Sequence, residues 1–181
     1  MSFLLKQPWF LGVLLAGGLI WIVGCSGGSK PDSNSISAPP AASAKFLLTA
    51  EPVGAKNVVE TRELAKDKDE VVLVGRIGGE RDPWVEGMAA FKITDIARPP
   101  CSDRPGDTCK FPWDYCYEDQ DLMRKSVALL QIVDDHGKVI AEDAKTSLGF
   151  KELQTIVIQG IAERDKDNNL TVNAKKVFIR K

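Results

Sequence analysis

The spacing of hydrophobic residues changes along the chain from a helix-like pattern to the two-residue period of β-strands. Asn57 precedes an apolar pair and Glu60 follows three residues later, so we predict a helix that is capped by Asn57 and runs to about Ala65. Residues 71–77 then form a continuous apolar run that is typical of a strand covered on both faces. Gly75 inside this run indicates a bend or a bulge.

Four further strands are predicted from alternating or apolar segments. They lie at residues 88–95, 126–133, 154–163 and 170–179, and polar turn sequences at 134–138 and 165–169 precede segments that return toward the sheet. In the last strand Val177 is out of phase with Leu170, Val172 and Ala174, which predicts a β-bulge near residues 175–176. A short apolar segment at 148–153 predicts one helical turn.

Five strands with a bent first strand favour a small Greek-key barrel over a sandwich, which takes about seven strands. The segment Val-Val-Leu-Val-Gly-Arg-Ile at 71–77, with Ile-Val-Ile-Gln-Gly at 156–160 and Leu-Thr-Val-Asn-Ala at 170–174, resembles the OB-fold. Over residues 55–180 the chain is similar to a bacterial OB-fold family of periplasmic proteins. This resemblance implies a mainly β, five-stranded OB-like barrel with an N-terminal helix and a cysteine-containing insertion between strands two and three.

Residues 1–24 have the pattern of a signal peptide. Lys6 precedes an uncharged segment whose apolar run, 9–23, is 15 residues long, whereas a membrane-spanning helix needs about 20. The run ends in Ile-Val-Gly-Cys at 22–25, which resembles the bacterial lipobox. The resemblance implies cleavage before Cys25 and attachment of lipid to its thiol. An uncleaved membrane anchor with an incidental cysteine is the alternative.

Residues 25–45 are predicted to be the lipidated cysteine and a flexible tether that leads to the folded domain at 46–181. In the segment 26–45, 15 of 20 residues are Ser, Gly, Pro or Ala. A segment of this composition cannot bury enough apolar surface to fold. Ser26 occupies the position where Asp marks retention in the inner membrane. The lipoprotein resemblance therefore implies an anchor in the outer membrane that faces the periplasm.

Charge and composition exclude several classes of function. The formal net charge is −1, whereas proteins that neutralise nucleic-acid phosphates usually carry a basic excess. His136 is the only histidine, which excludes sites built on two imidazoles. The chain has neither a nucleophile–base motif nor a phosphate-binding glycine loop. We therefore expect a non-enzymatic binding module without a cofactor.

The insertion at residues 98–121 contains Cys101, Cys109 and Cys116, spaced Cys-x7-Cys-x6-Cys. This spacing is unlike the CxxC pairs of redox and zinc-ribbon motifs. In an exported protein we expect one disulfide and one free or intermolecular thiol. Cys101 can pair with either of the other two, and the sequence leaves both pairings open.

The alternative for these three cysteines is a metal or thiol-redox site. Three thiolates favour copper or zinc, and Asp114, His136 or a carboxylate of the acidic pair at 118–119 would complete the set of ligands. Such a site would make the chain a metal-binding or thiol-redox protein of the envelope.

The block Pro-Trp-Asp-Tyr-Cys at 112–116 resembles a group of exported, planctomycete-type proteins. In that group a second cysteine follows the block directly. This chain has Tyr117 at that position, which leaves an odd number of thiols.

Aromatic residues alternate through the insertion. If the segment is extended, Phe111, Trp113, Tyr115 and Tyr117 line one face, and together with Trp84 they form a candidate surface for a protein, a peptide or a glycan. The alternative is a small satellite core that closes the mouth of the barrel. The acidic residues at 118–121 argue against a polyanionic ligand, and a nucleic-acid-binding OB domain is the second alternative.

Overall fold

The computed structural model describes residues 44–181. The predicted signal peptide, the predicted lipidation site Cys25 and all but the last two residues of the predicted tether lie outside the described residues. Within the described range no helix is both long and apolar enough to cross a membrane.

Six strands and three α-helices make up the described domain. The strands are β1 (Glu70–Ile77), β2 (Trp84–Val85), β3 (Ala90–Thr94), β4 (Val127–Ile132), β5 (Thr155–Arg164) and β6 (Leu170–Ile179). The helices are α1 (Val58–Leu64), α2 (Gln120–Ser126) and α3 (Ala144–Ser147), and a 3₁₀ turn spans Cys101–Asp103.

Five of the strands close into a barrel. β1 pairs antiparallel with both β3 and β5, β3 pairs with β4, and β5 pairs with β6. β4 and β6 run parallel and complete the ring, while the two-residue β2 only extends β3. The closed barrel leaves no free edge among its five strands. The domain is therefore mainly β with an OB-fold barrel, as predicted.

β1 closes the barrel because it contacts two neighbours at once. It pairs with β5 as far as Arg76, and its last two residues, Arg76 and Ile77, also pair with β3. Gly75 lies where the strand passes from one partner to two. A β-carbon on Gly75 would lie 2.9 Å from Cδ1 of Ile93, so glycine permits this close approach.

The predicted β-bulge is present in β6. Gln159 of β5 pairs with Lys176 of β6. The next residue, Gly160, pairs with Ala174, so Lys175 is the extra residue of the bulge. The bulge returns the following apolar side chain of β6 to the core, where Val177 is fully buried.

Helix α1 begins where the sequence predicts. The side chain of Asn57 caps it by accepting a hydrogen bond from the Glu60 N–H at 2.8 Å. Asp95, buried just after β3, accepts a second hydrogen bond from the Val59 N–H at 2.9 Å. These two acceptors hold the start of the helix against the barrel.

The short elements differ from the prediction. β2 is an additional strand, and α2 is an additional helix that begins in the last two residues of the predicted insertion and ends at Ser126, where the sequence predicts the start of the third strand. The helical turn predicted at 148–153 lies earlier, as α3. Aspartate caps explain both helices, because the side chains of Asp119 and Asp143 each accept hydrogen bonds from two backbone N–H groups of the first turn.

Gly160→Ala should destabilise the barrel, because a β-carbon at this position would lie 2.4 Å from the Asn173 carbonyl oxygen. We expect the free energy of unfolding to fall by about 2–3 kcal/mol, as for other overpacked cores. Urea unfolding measures the loss. In the control Gly87→Ala the β-carbon meets open space, and only the positive φ of 70° costs about 1 kcal/mol. Equal losses in the two variants would contradict this packing.

Candidate functional site

The insertion between β3 and α2 folds back on itself. The Cys101 N–H donates to the Asp114 carbonyl at 2.8 Å, and the Ser102 N–H donates to the Pro112 carbonyl at 3.0 Å. These two bonds place the 3₁₀ turn beside the segment that ends in Cys116. Cys101 and Cys116, which are fifteen positions apart in sequence, are therefore neighbours in space.

The three cysteine sulfurs of the insertion lie together. The Sγ atoms of Cys101, Cys109 and Cys116 are all within 4.8 Å of one another, and the first and last are 3.2 Å apart. Among the described residues this group contains only thiol sulfurs, so the carboxylates and the imidazole suggested as further ligands are not part of it. His136 lies in an exposed turn instead. The cluster can hold a metal ion.

The cysteines differ in their exposure to solvent. Cys101 is buried, Cys109 is half-buried and Cys116 is exposed. Burial, and then hydrogen bonding with the other two thiols, raises the pKa of Cys101 to about 12. No two of these cysteines are bridged in the described structure, so the predicted disulfide stays a prediction.

A glycine pair at the end of β1 attaches the insertion to the barrel. The Gly79 N–H donates to the Trp113 carbonyl at 3.2 Å, and a β-carbon on Gly78 would lie only 2.6 Å from the same oxygen. The indole N–H of Trp113 donates to the Arg81 carbonyl at 3.0 Å. Arg76 of β1 also forms an ion pair with Asp103 at 3.1 Å. The insertion is therefore packed against the barrel.

The predicted aromatic surface is distributed over several environments. Phe111 and Trp113 form an edge-to-face pair with ring centroids 6.0 Å apart. Tyr115 is buried, whereas Tyr117 is 58% exposed. Trp84 lies on β2, where its indole N–H donates to Glu152 at 2.8 Å. The structure therefore brings Phe111 and Trp113 together, and the shared aromatic surface stays a prediction.

A groove of about 830 Å³ lies beside the cysteines. The groove is lined by residues of β3, β4 and β6, of α1 and α2, of the turns after β1 and after β5, and of the insertion. The residues that line it are Arg62, Gly79, Glu80, Lys92, Asp114, Tyr115, Cys116, Glu118, Gln120, Met123, Arg124, Val127, Leu129, Asp165, Asn169, Leu170 and Thr171. Cys116 thus belongs both to the sulfur cluster and to the groove.

Charges of both signs line the groove. Lys92 forms an ion pair with Glu80 at 2.7 Å, and Arg124 pairs with Asp121. The half-buried Arg62 donates from Nη1 to the Val127 carbonyl at 3.2 Å. Burial and then the charge of a neighbouring arginine lower the pKa of Arg62, which still leaves the guanidinium charged at neutral pH.

The sequence did not predict this groove. Its lining comes from five separate parts of the chain, and the residues that matter, such as Lys92, Leu129 and Thr171, stand on the outward face of ordinary strands. One signal was present in the alternation of the second strand, which places Lys92 opposite the buried Phe91 and Ile93.

No family model and no curated protein matches the chain. Among solved structures, the mitochondrial single-stranded DNA binding protein Rim1 from S. cerevisiae is similar to it, with 13% sequence identity and a TM-score of 0.31. The match covers 64% of this chain and 98% of that chain. The pairing of the strands described above defines the barrel independently of this likeness.

Proposed function

We propose that this chain is an envelope lipoprotein whose OB-fold domain binds an extended peptide segment of a partner protein in the groove over β3 and β4, without catalysing a reaction. The position of the groove is the observation that carries the proposal. OB-folds bind their ligands on the face of the second and third barrel strands, between the first and last interstrand loops. In this chain those strands are β3 and β4, and residues of both loops line the groove.

The charges of the groove favour a peptide over a nucleic acid. Three cationic side chains, Arg62, Lys92 and Arg124, are balanced by four carboxylates, Glu80, Asp114, Glu118 and Asp165. A phosphate backbone would meet repulsion from these carboxylates. A peptide with both charge signs would find partners for each, and backbone carbonyls could accept from the remaining N–H donors of Arg62.

The described part of the groove also lacks an exposed aromatic side chain on which bases could stack, which again favours a peptide over a nucleic acid. Single-stranded nucleic acids gain affinity by stacking bases on aromatic side chains. Of the described residues that line the groove only Tyr115 is aromatic, and it is buried. The apolar contacts available to a ligand come instead from Met123 and Leu129, which suit aliphatic side chains. This composition also favours a peptide over a glycan.

The anchoring part of the proposal rests on the N-terminal sequence. The lipobox-like segment at 22–25 and the tether after it would hold the domain near a membrane surface, and Ser26 favours the outer membrane and a periplasmic location. Binding without catalysis follows from the lack of a nucleophile–base motif and from the single histidine, which lies in an exposed turn.

Cys25→Ser should carry no lipid, because the variant has no thiol to accept it. We expect the wild-type chain to sediment with envelope membranes and to carry a lipid mass at its mature N-terminus by mass spectrometry. A wild-type chain that sediments with the membranes but keeps its first 24 residues and carries no lipid would instead indicate an uncleaved anchor.

Lys92→Glu should weaken peptide binding at least tenfold, because it replaces a cation of the groove by a carboxylate beside Glu80. Peptides selected from a mixed-charge library are titrated against the full-length chain in detergent. The control is Lys151→Glu, which makes the same charge change at an exposed position outside the groove and should bind like wild type.

Two further probes, a thymidine oligonucleotide and an N-acetylglucosamine oligomer, test the other ligand classes in the same assay. Oligonucleotide binding that falls with added salt and with Lys92→Glu would show that the ligand of the groove is a nucleic acid and not a peptide. Peptide binding that is equal in both lysine variants would place the ligand outside the groove.

A further inference from the structure

We infer that Cys101, Cys109 and Cys116 form a three-thiolate site for a single Cu(I) ion. Their sulfurs converge from the 3₁₀ turn, from the loop after it and from the end of the Pro-Trp-Asp-Tyr-Cys block, all within 4.8 Å of one another. This site needs no ligand in the groove, and it replaces the disulfide expected from the sequence, since all three thiols are free in the described structure.

The chemistry of the donors selects a soft cation. Thiolates favour Cu(I), Zn(II) and iron–sulfur clusters over Mg²⁺ or Ca²⁺. Structural zinc sites take four protein ligands. In the described part of the chain only three sulfurs meet here, with no carboxylate or imidazole in the group. A zinc ion held by these three thiolates would need water as its fourth ligand, whereas three thiolates alone satisfy Cu(I).

The distances suit one ion at the centre of the cluster. Metal–sulfur bonds of about 2.3 Å place three sulfurs of a trigonal site about 4.0 Å apart. The sulfurs of Cys101 and Cys116 are 3.2 Å apart, and no pair exceeds 4.8 Å. The sulfurs therefore need only small movements to bind the ion.

The backbone around the sulfurs is already ordered by hydrogen bonds. Cys101 is held through its N–H by the Asp114 carbonyl at 2.8 Å, and the Cys109 N–H donates to Asp107 Oδ2 at 3.1 Å. Because these bonds fix the loop before any ion arrives, less ordering entropy opposes binding. The exposed Cys116 gives the ion a path from solvent to the buried Cys101.

Binding is an exchange of protons for a metal ion. Three S–Cu bonds form, up to three S–H bonds break and their protons pass to solvent. Copper stays in the +1 state throughout, so neither an oxidant nor a reductant takes part.

The test titrates the reduced full-length chain in detergent, without oxygen, with Cu(I) presented by a chromophoric chelator. We expect one copper per chain, and X-ray absorption at the copper edge should give three sulfur neighbours. Cys101→Ser, Cys109→Ser and Cys116→Ser should each weaken binding at least tenfold. Cys25→Ser and Ser102→Ala are the matched controls and should bind like wild type.

Three results would overturn the site. They are two sulfur neighbours with unchanged affinity in Cys109→Ser, loss of binding in Cys25→Ser, or reduced wild-type protein that takes up no copper. The absorption measurement on the wild-type chain decides the coordination even where a serine variant of the buried Cys101 fails to fold.

Discussion

The contact between the Trp113 carbonyl and the glycine pair that follows β1 determines what this domain can offer to a ligand. The Gly79 N–H donates to that carbonyl, and Gly78 leaves no room for a side chain beside it. Both glycines have positive φ, which other residues rarely adopt. Because β1 also closes the barrel, the insertion is joined to the part of the sheet that pairs with two neighbours at once.

This attachment gives the insertion two adjacent roles. The segment 112–118 brings Cys116 to the other two sulfurs, and Asp114, Cys116 and Glu118 of the same segment line the groove. Glu118 also forms an ion pair with Arg104 at 2.5 Å, which links that segment to the 3₁₀ turn. The sulfur cluster and the groove therefore share this segment of the insertion.

Regular features of the fold were predictable because they depend on local patterns. The helix cap at Asn57 is predicted by Asn57 together with Glu60 three residues later. The bulge at Lys175 is predicted by a change in the phase of the apolar residues within one strand. The sequence offered the meeting of the three cysteines only as an alternative to a disulfide, because it depends on hydrogen bonds between segments such as that from Cys101 to Asp114. Helix α2 was missed because its polar sequence has no apolar period, although Asp119 supplies a cap.

Residue-resolved amide exchange in the full-length chain tests most directly whether the glycine contact holds the insertion in place. The Gly79 amide, bonded to Trp113, and the Cys101 amide, bonded to Asp114, should be protected in the wild type. In Gly78→Ala we expect both to lose at least tenfold in protection, while amides of β5 and β6 keep theirs. Rapid exchange of both amides in the wild type, or protection that Gly78→Ala leaves unchanged, would contradict the account.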